Sequence, residues 1–254
     1  MQVVILAGGY GSRLSEITSN IPKPMIEIDS KPIISHIMKH YSDYGHTDFL
    51  VALGYKGNRI KEYFSKLHLY ESDLVINTAN QDITVLTNKK DSNWNVTLVD
   101  TGLHSATGGR LLRLTPHLND EFLMTYGDGL SNVNLDTLVS QHHALGSLAT
   151  VTAVHPPARF GSLKVDGNKV LQFDEKLAKS EGWINGGFFV LSKQVLKYIQ
   201  DFDMPFEGKP LSELAKIGAL NAFFHEGFWH PMDTLKDKNI LEELAKSGNV
   251  PWQI

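Results

Sequence analysis

The 254 residues include no cysteine. Disulfides, thiolate catalysis and cysteine-ligated zinc are therefore excluded. No strong excess of one charge is present either. The formal net charge is −4, which argues against nucleic acid as the main partner and leaves room for a local basic pocket. No apolar run approaches the roughly 20 residues that span a bilayer. The first such run, Val3 to Ala7, is too short for a secretion signal and leads straight into glycines. A cytoplasmic protein without a membrane contact is the expectation. No glycine-lysine-serine/threonine triplet occurs, so the chain holds no P-loop. Internal repeats, low-complexity segments and linker-like composition breaks are also lacking.

Hydrophobic residues make up 42% and charged residues 20%, values ordinary for a globular chain. The pattern alternates apolar runs with helical stripes. Val3 to Ala7 and Asp48 to Leu53 read as buried strands, and Ile33, Ile34, Ile37, Met38 and Tyr41 share one helix face. Ile60, Tyr63, Phe64 and Leu67 form a second stripe. Strand candidates continue at Asp73 to Asn77, Asn95 to Val99, Phe122 to Tyr126 and Ala149 to Val154, with a polar surface loop or irregular hairpin over 78–93. Helices are expected from Thr107 and through Leu135 to His142. Shorter β pieces follow Pro156, then helices at Gln194 to Ile199, Leu211 to Ile217 and Thr234 to Ser247, with a strand at Ala219 to Phe224. Strand alternating with helix predicts an α/β fold: a Rossmann-like, mostly parallel central sheet flanked by helices, with a smaller β-rich part. One domain over 1–254 is expected, its β-rich part from about residue 156 closing the same cleft.

The stretch Met1 to Pro32 organises the rest. Its strand ends in Gly8-Gly9-Tyr10-Gly11-Ser12-Arg13, where glycines let backbone N–H groups approach a ligand closely. Pro22-Lys23-Pro24 holds a lysine between two residues of fixed φ, on a stiff backbone not expected to be helical. An amide-rich loop, an arginine and a held lysine together predict a polyphosphate site. A dinucleotide fingerprint is excluded, because Gly9-x-Gly11-x-x-Leu14 lacks the third glycine.

Other candidates carry a plainer alternative. Asp128 lies between Gly127 and Gly129 beyond a buried strand, so it suits Mg²⁺ and a turn about equally. Asp233, before a helix, reads first as an N-cap. Arg110 follows Gly108-Gly109 at a helix start, a natural anion site, while Arg113 reads as a surface charge. Glu175-Lys176 reads as a solvated pair and Asn185-Gly186-Gly187 as a tight turn. His142 and His143 are adjacent on a helix and are expected to point apart. Trp94, Trp183 and Trp229 read as core or rim.

Taken together, Gly8-Gly9-Tyr10-Gly11-Ser12-Arg13-Leu14 and Pro22-Lys23-Pro24-Met25 resemble the sugar nucleotidyltransferases. The likeness recurs at Trp94 to Gly102, Thr107 to Arg110, Thr125 to Gly129, Arg159 to Gly161, Ile184 to Val190 and Gly227 to Leu235. It is closest to the members that use CTP and glucose 1-phosphate. The resemblance implies that Leu6, Ala7, Gly8, Gly9, Tyr10, Gly11, Ser12 and Arg13 wrap the nucleotide, joined by Lys23, Ser105, Arg110 and Gly127. It implies Arg13, Lys23 and Asp128 at the reacting centre and Asp128 with Asp233 on Mg²⁺. It also implies Glu175, Lys176 and Asn185 on the sugar phosphate, with the part after residue 156 binding the sugar. The expected product is CDP-glucose with pyrophosphate, at the entry to CDP-linked deoxysugars, made by a homo-oligomer (hexamer or trimer). The family usually reads glutamate-lysine-proline where this chain has Glu175-Lys176-Leu177, and leucine-x-proline where it has Ser15-Glu16-Ile17. The same chemistry with another nucleotide or sugar, and a catalytically silent sugar-nucleotide-binding subunit, are the alternatives.

Overall fold

Strand β1 (Gln2–Leu6) is buried along its whole length, and the rest of the chain is built out from it. The computed structural model describes residues 1–87, 93–157, 162–166, 169–174, 182–248 and 250–253. After β1 come α1 (Ile33–Asp43), β2 (Asp48–Leu53), α2 (Gly57–Tyr70) and β3 (Asn95–Asp100). The chain then returns through α3 (Thr107–Leu114) to β4 (Glu121–Tyr126) on the other side of β1. α4 (Leu135–Leu145), β5 (Ala149–Val154), β6 (Ile184–Ser192), α5 (Lys209–Lys216), β7 (Leu220–His225) and α6 (Leu235–Lys246) complete the frame.

Among the described residues these seven strands form one sheet in the order β7-β5-β6-β4-β1-β2-β3. All neighbours are parallel except β6, which runs antiparallel to both β5 and β4. Both faces of β1 are covered. Val3 and Ile5 join a cluster with Ile33, Ile37, Met38 and Tyr41 of α1, while Val4 and Leu6 pack with Leu111, Leu114, Phe189 and Phe206. Burial on both faces is why these strands read as continuous apolar runs.

Several elements depart from the sequence reading. Lys23–Met25 is a 3₁₀ turn with Pro24 in its first positions, where a missing N–H costs no internal hydrogen bond. Gln194 to Ile199 is likewise a 3₁₀ turn, Lys193–Tyr198, capped by the Ser192 side chain. In the 78–93 stretch the hairpin alternative holds, Ile83–Val85 pairing antiparallel with Leu74–Ile76 inside the expected strand Asp73 to Asn77. Two three-residue strands, Gly129–Ser131 and Trp229–Pro231, pair antiparallel. Their length and their glycine and proline leave no periodic signal. His142 and His143 do not point apart: both ring Nε2 atoms reach the Glu121 carboxylate, at 3.6 and 2.7 Å.

Candidate active site

The order in which the sheet is filled sets the site. The chain runs outward from β1 to β3, then comes back beside β1 as β4, so the carboxyl ends of β1 and β4 flank a crevice. A cavity of about 520 Å³ opens there.

One wall is the turn after β1. The Ala7 N–H donates to Ala52 O at 3.0 Å and Gly8 O accepts from the Tyr55 N–H at 3.1 Å, which ties the loop's root to β2. Gly11 has φ +65°, and a Cβ there would lie 2.8 Å from Thr18 Cγ2. Glycine therefore serves both conformation and space. The whole run Leu6 to Arg13 lines the cavity, together with Lys23, Ser105, Arg110, Gly127, Asp128 and Asp233.

Lys23 sits at the focus. Its Nζ donates to Asp128 Oδ2 at 2.7 Å and Asp233 Oδ1 at 2.8 Å, and its side chain is only 12% exposed. Burial alone would lower the ammonium pKa, but Asp128 and Asp233 outweigh it and hold the pKa above its ordinary value. Arg13 Nη1 donates to Asp233 Oδ2 at 2.9 Å from a side chain 71% exposed, an ion pair that contributes little stability of its own.

The two aspartates are brought together by the small strands absent from the sequence reading. Gly129 pairs with Pro231, Leu130 with His230 and Ser131 with Trp229. The Met232 N–H donates to Asp128 O at 2.8 Å. Asp233 is not the helix cap. Thr234 is the N-cap of α6, in a reciprocal box with Asp237, whose Oδ2 also accepts from the Asp233 N–H at 3.2 Å. The cap thus fixes the Asp233 backbone and leaves its carboxylate aimed at Lys23.

Arg110 is not an exposed anion binder. It is buried, and its guanidinium donates to Leu53 O, Thr101 Oγ1, Gly102 O and Gly8 O at 2.8 to 3.1 Å. Burial lowers its pKa from the usual arginine value. A Cβ on Gly8 would lie 2.2 Å from Arg110 Cζ, so the glycine loop and this arginine are fitted to each other. Ser105 Oγ donates to Thr101 O at 2.5 Å and accepts from Arg113 Nε at 3.2 Å. Arg113 also lies over the Phe202 ring at 4.2 Å.

Across the cavity stands Tyr126, the last residue of β4. It was missed in the sequence because it completes an apolar strand. Burial, and then the neighbouring Glu207 carboxylate, push its hydroxyl pKa up, so the hydroxyl stays neutral. Its Oη donates to Glu207 Oε1 at 2.5 Å and accepts from Asn185 Nδ2 at 3.3 Å. Asn185 is therefore placed beside the cavity through Tyr126. Glu207 carried no sequence signal. Glu175, Lys176 and Arg159 to Gly161 lie outside the described residues. Trp94 and Trp229 are half-buried and spend their indole N–H groups on Ser42 Oγ and Gly186 O. Trp183 is an exposed rim residue against His155, ring centroids 3.9 Å apart.

A mostly parallel sheet with a glycine-lined cavity, one held lysine and two convergent carboxylates at its switch point defines the class: a nucleotide-handling α/β enzyme. Residues 2–230 match the nucleotidyl transferase family. The chain is 48% identical over 255 residues to the glucose-1-phosphate cytidylyltransferase of Salmonella typhi, covering 100% of this chain and 99% of that protein. It is 42% identical over 256 residues to a probable glucose-1-phosphate cytidylyltransferase of Bacillus subtilis, with both chains fully covered. The crystal structure of HddC from Yersinia pseudotuberculosis superposes with a TM-score of 0.68 at 25% identity, over 95% of this chain and 98% of that one. The chain belongs to the nucleotidyl transferase family, in its glucose-1-phosphate cytidylyltransferase branch.

Proposed function

We propose that the chain transfers the cytidylyl group of CTP to α-D-glucose 1-phosphate, giving CDP-glucose and pyrophosphate. The observation that carries this is the convergence of Lys23, Asp128 and Asp233 on the wall of the glycine-loop cavity, in a chain similar end to end to proteins named for that reaction. A phosphate oxygen of the sugar phosphate attacks the α-phosphorus in line. The new P–O bond forms as the α–β bridging P–O bond breaks, and pyrophosphate leaves. The nucleophile is already ionised at neutral pH, so no general base is required. The protein's task is positioning and relief of anionic repulsion.

Amides of Gly8 to Ser12 would hold the triphosphate, with Arg13 on the leaving pyrophosphate and Lys23 on the phosphate at the reacting centre. Ser105, Arg110 and Gly127 would form the nucleoside side, Arg110 by shaping the loop. Glu175, Lys176 and Asn185 would hold the sugar phosphate. Asp128 and Asp233 fit Mg²⁺: both already turn an oxygen toward one cationic point, the Lys23 ammonium. Among the described residues no set of three His, Asp or Glu groups could hold a metal, so substrate phosphate oxygens would complete the coordination. When bound, Mg²⁺ supplies neutralisation of phosphate charge. One domain, with its sugar-binding part after about residue 156, a cytoplasmic location and assembly as a homo-oligomer belong to the same reading.

The test is to incubate the protein and Mg²⁺ with each nucleoside triphosphate and several sugar 1-phosphates, measuring pyrophosphate. CTP with glucose 1-phosphate is expected to dominate. Release from no pair would favour a silent binding subunit.

A further inference from the structure

Glu207 lies on the loop between β6 and α5 and has both carboxylate oxygens engaged at the cavity. Oε1 accepts from Tyr126 Oη and Oε2 from Thr107 Oγ1, each at 2.5 Å. Thr107 belongs to the first turn of α3 and lines the cavity, as does Tyr126. The loop carrying Glu207 is pressed against that turn. A Cβ on Gly109 would lie 1.9 Å from Phe202 O, and one on Gly108 2.5 Å from Met204 O. The Phe206 N–H donates to Thr107 Oγ1 at 2.9 Å. Backbone packing therefore holds this loop against α3, and from it the exposed Glu207 side chain reaches Tyr126 and Thr107.

The hydrogen bonds have one possible direction. The Gly187 N–H can only donate, and it meets Asn185 Oδ1 at 2.8 Å. That sets the amide orientation and turns Nδ2 toward Tyr126 Oη. Tyr126 must accept there and donate to Glu207, which as a carboxylate only accepts. The chain runs Asn185 to Tyr126 to Glu207, with the negative charge at its end fixing the polarity. Among the described residues, one Nδ2 hydrogen of Asn185 and one lone pair of Tyr126 Oη are left for a ligand.

We propose that Glu207 is a positioning residue for the acceptor: through Tyr126 it holds Asn185 in the orientation that reads the sugar 1-phosphate. This rests on the proposed function, in which Asn185 contacts that substrate. Glu207 itself stays behind Tyr126 and touches no reacting atom. Its charge also disfavours a phosphate on this wall, which leaves the wall to hydroxyls.

The experiment compares wild type, Glu207→Ala, Tyr126→Phe and the double variant, with KM for glucose 1-phosphate and for CTP measured separately. Either single variant is expected to raise the glucose 1-phosphate KM about tenfold and to move the CTP KM less than twofold. The double variant should be no worse than Tyr126→Phe alone, because the glutamate acts through the tyrosine. A merely structural glutamate would loosen the first turn of α3, which Ser105 precedes and Arg110 continues, and both KM values would rise together. Parallel rises, unchanged KM values or multiplying losses overturn the proposal. Should the alanine variant not fold, Tyr126→Phe, which removes the hydroxyl between Asn185 and Glu207, carries the test by itself. Wild-type turnover with CTP and glucose 1-phosphate tests the underlying reading separately. Where the wild type is silent, calorimetric affinity for glucose 1-phosphate replaces its KM, with the same tenfold loss expected and an unchanged affinity overturning the proposal.

Discussion

Lys23 and Asp233 stand 210 positions apart in the chain and 2.8 Å apart in the fold. The same ammonium lies 2.7 Å from Asp128. One positive charge thus holds two carboxylates that would otherwise repel each other across the mouth of the cavity. The arrangement separates what each member contributes.

Replacing Asp128 or Asp233 by Ala should lower Mg²⁺-dependent kcat/KM by at least about a hundredfold. Neither carboxylate is deeply buried, with side chains 33% and 23% exposed, so the unfolding midpoint should move by only a few degrees. Pyrophosphate release and scanning calorimetry give the two readouts. Full activity in both variants would end the metal assignment.

Lys23→Met removes the counter-charge and leaves Asp128 and Asp233 facing each other. Turnover should fall about a hundredfold or more. In the absence of nucleotide, added Mg²⁺ should raise the melting temperature of Lys23→Met more than that of wild type. A cation meets Asp128 and Asp233 without the lysine between them in the variant, and with the ammonium already there in the wild type. Equal shifts in the two proteins would show that the lysine does not compete for that position.

Arg110→Met should destabilise the fold by about 3 kcal/mol, since it removes the buried guanidinium's four hydrogen bonds, to Leu53 O, Thr101 Oγ1, Gly102 O and Gly8 O. Gly8→Ala should cost a similar order, because its Cβ would lie 2.2 Å from a guanidinium already held by four acceptors. Urea unfolding measures both. In each variant the glycine loop loses its support, and the KM for CTP should rise.

Stability should also depend on pH through His40. Burial against Tyr41, Tyr44 and Phe188 lowers its pKa from the usual 6.5 to about 4. The unfolded chain binds that proton at higher pH than the folded chain does. Stability is therefore complete above about pH 6.5 and declines as pH falls toward 4, by up to about 3 kcal/mol from this residue. His36, His46 and His142 are shifted down by burial as well, so they share the slope. His40→Leu should flatten part of the decline in urea midpoints between pH 7 and 4. An unchanged slope would remove His40 from the account.

The sheet was legible in the sequence because its strands are buried on both faces and its helices on one. β2 and β5 begin and end where the apolar runs do. The glycine loop and the held lysine were legible for a related reason, since glycine and proline constrain the backbone wherever they stand. The pairing of Asp128 with Asp233 was implied by the family resemblance and could not be deduced from spacing. By itself Asp128 suited a metal and a turn equally and Asp233 read as a cap, and it is a three-residue ladder, Gly129–Ser131 on Trp229–Pro231, that puts them on one cation. Nor could spacing show that Arg110 faces inward to brace Gly8, or that Glu207 stands behind Tyr126. Local pattern encodes burial and backbone freedom. Which side chains from distant segments share a proton or a charge is decided by how those segments pack, and only the tertiary structure supplies that.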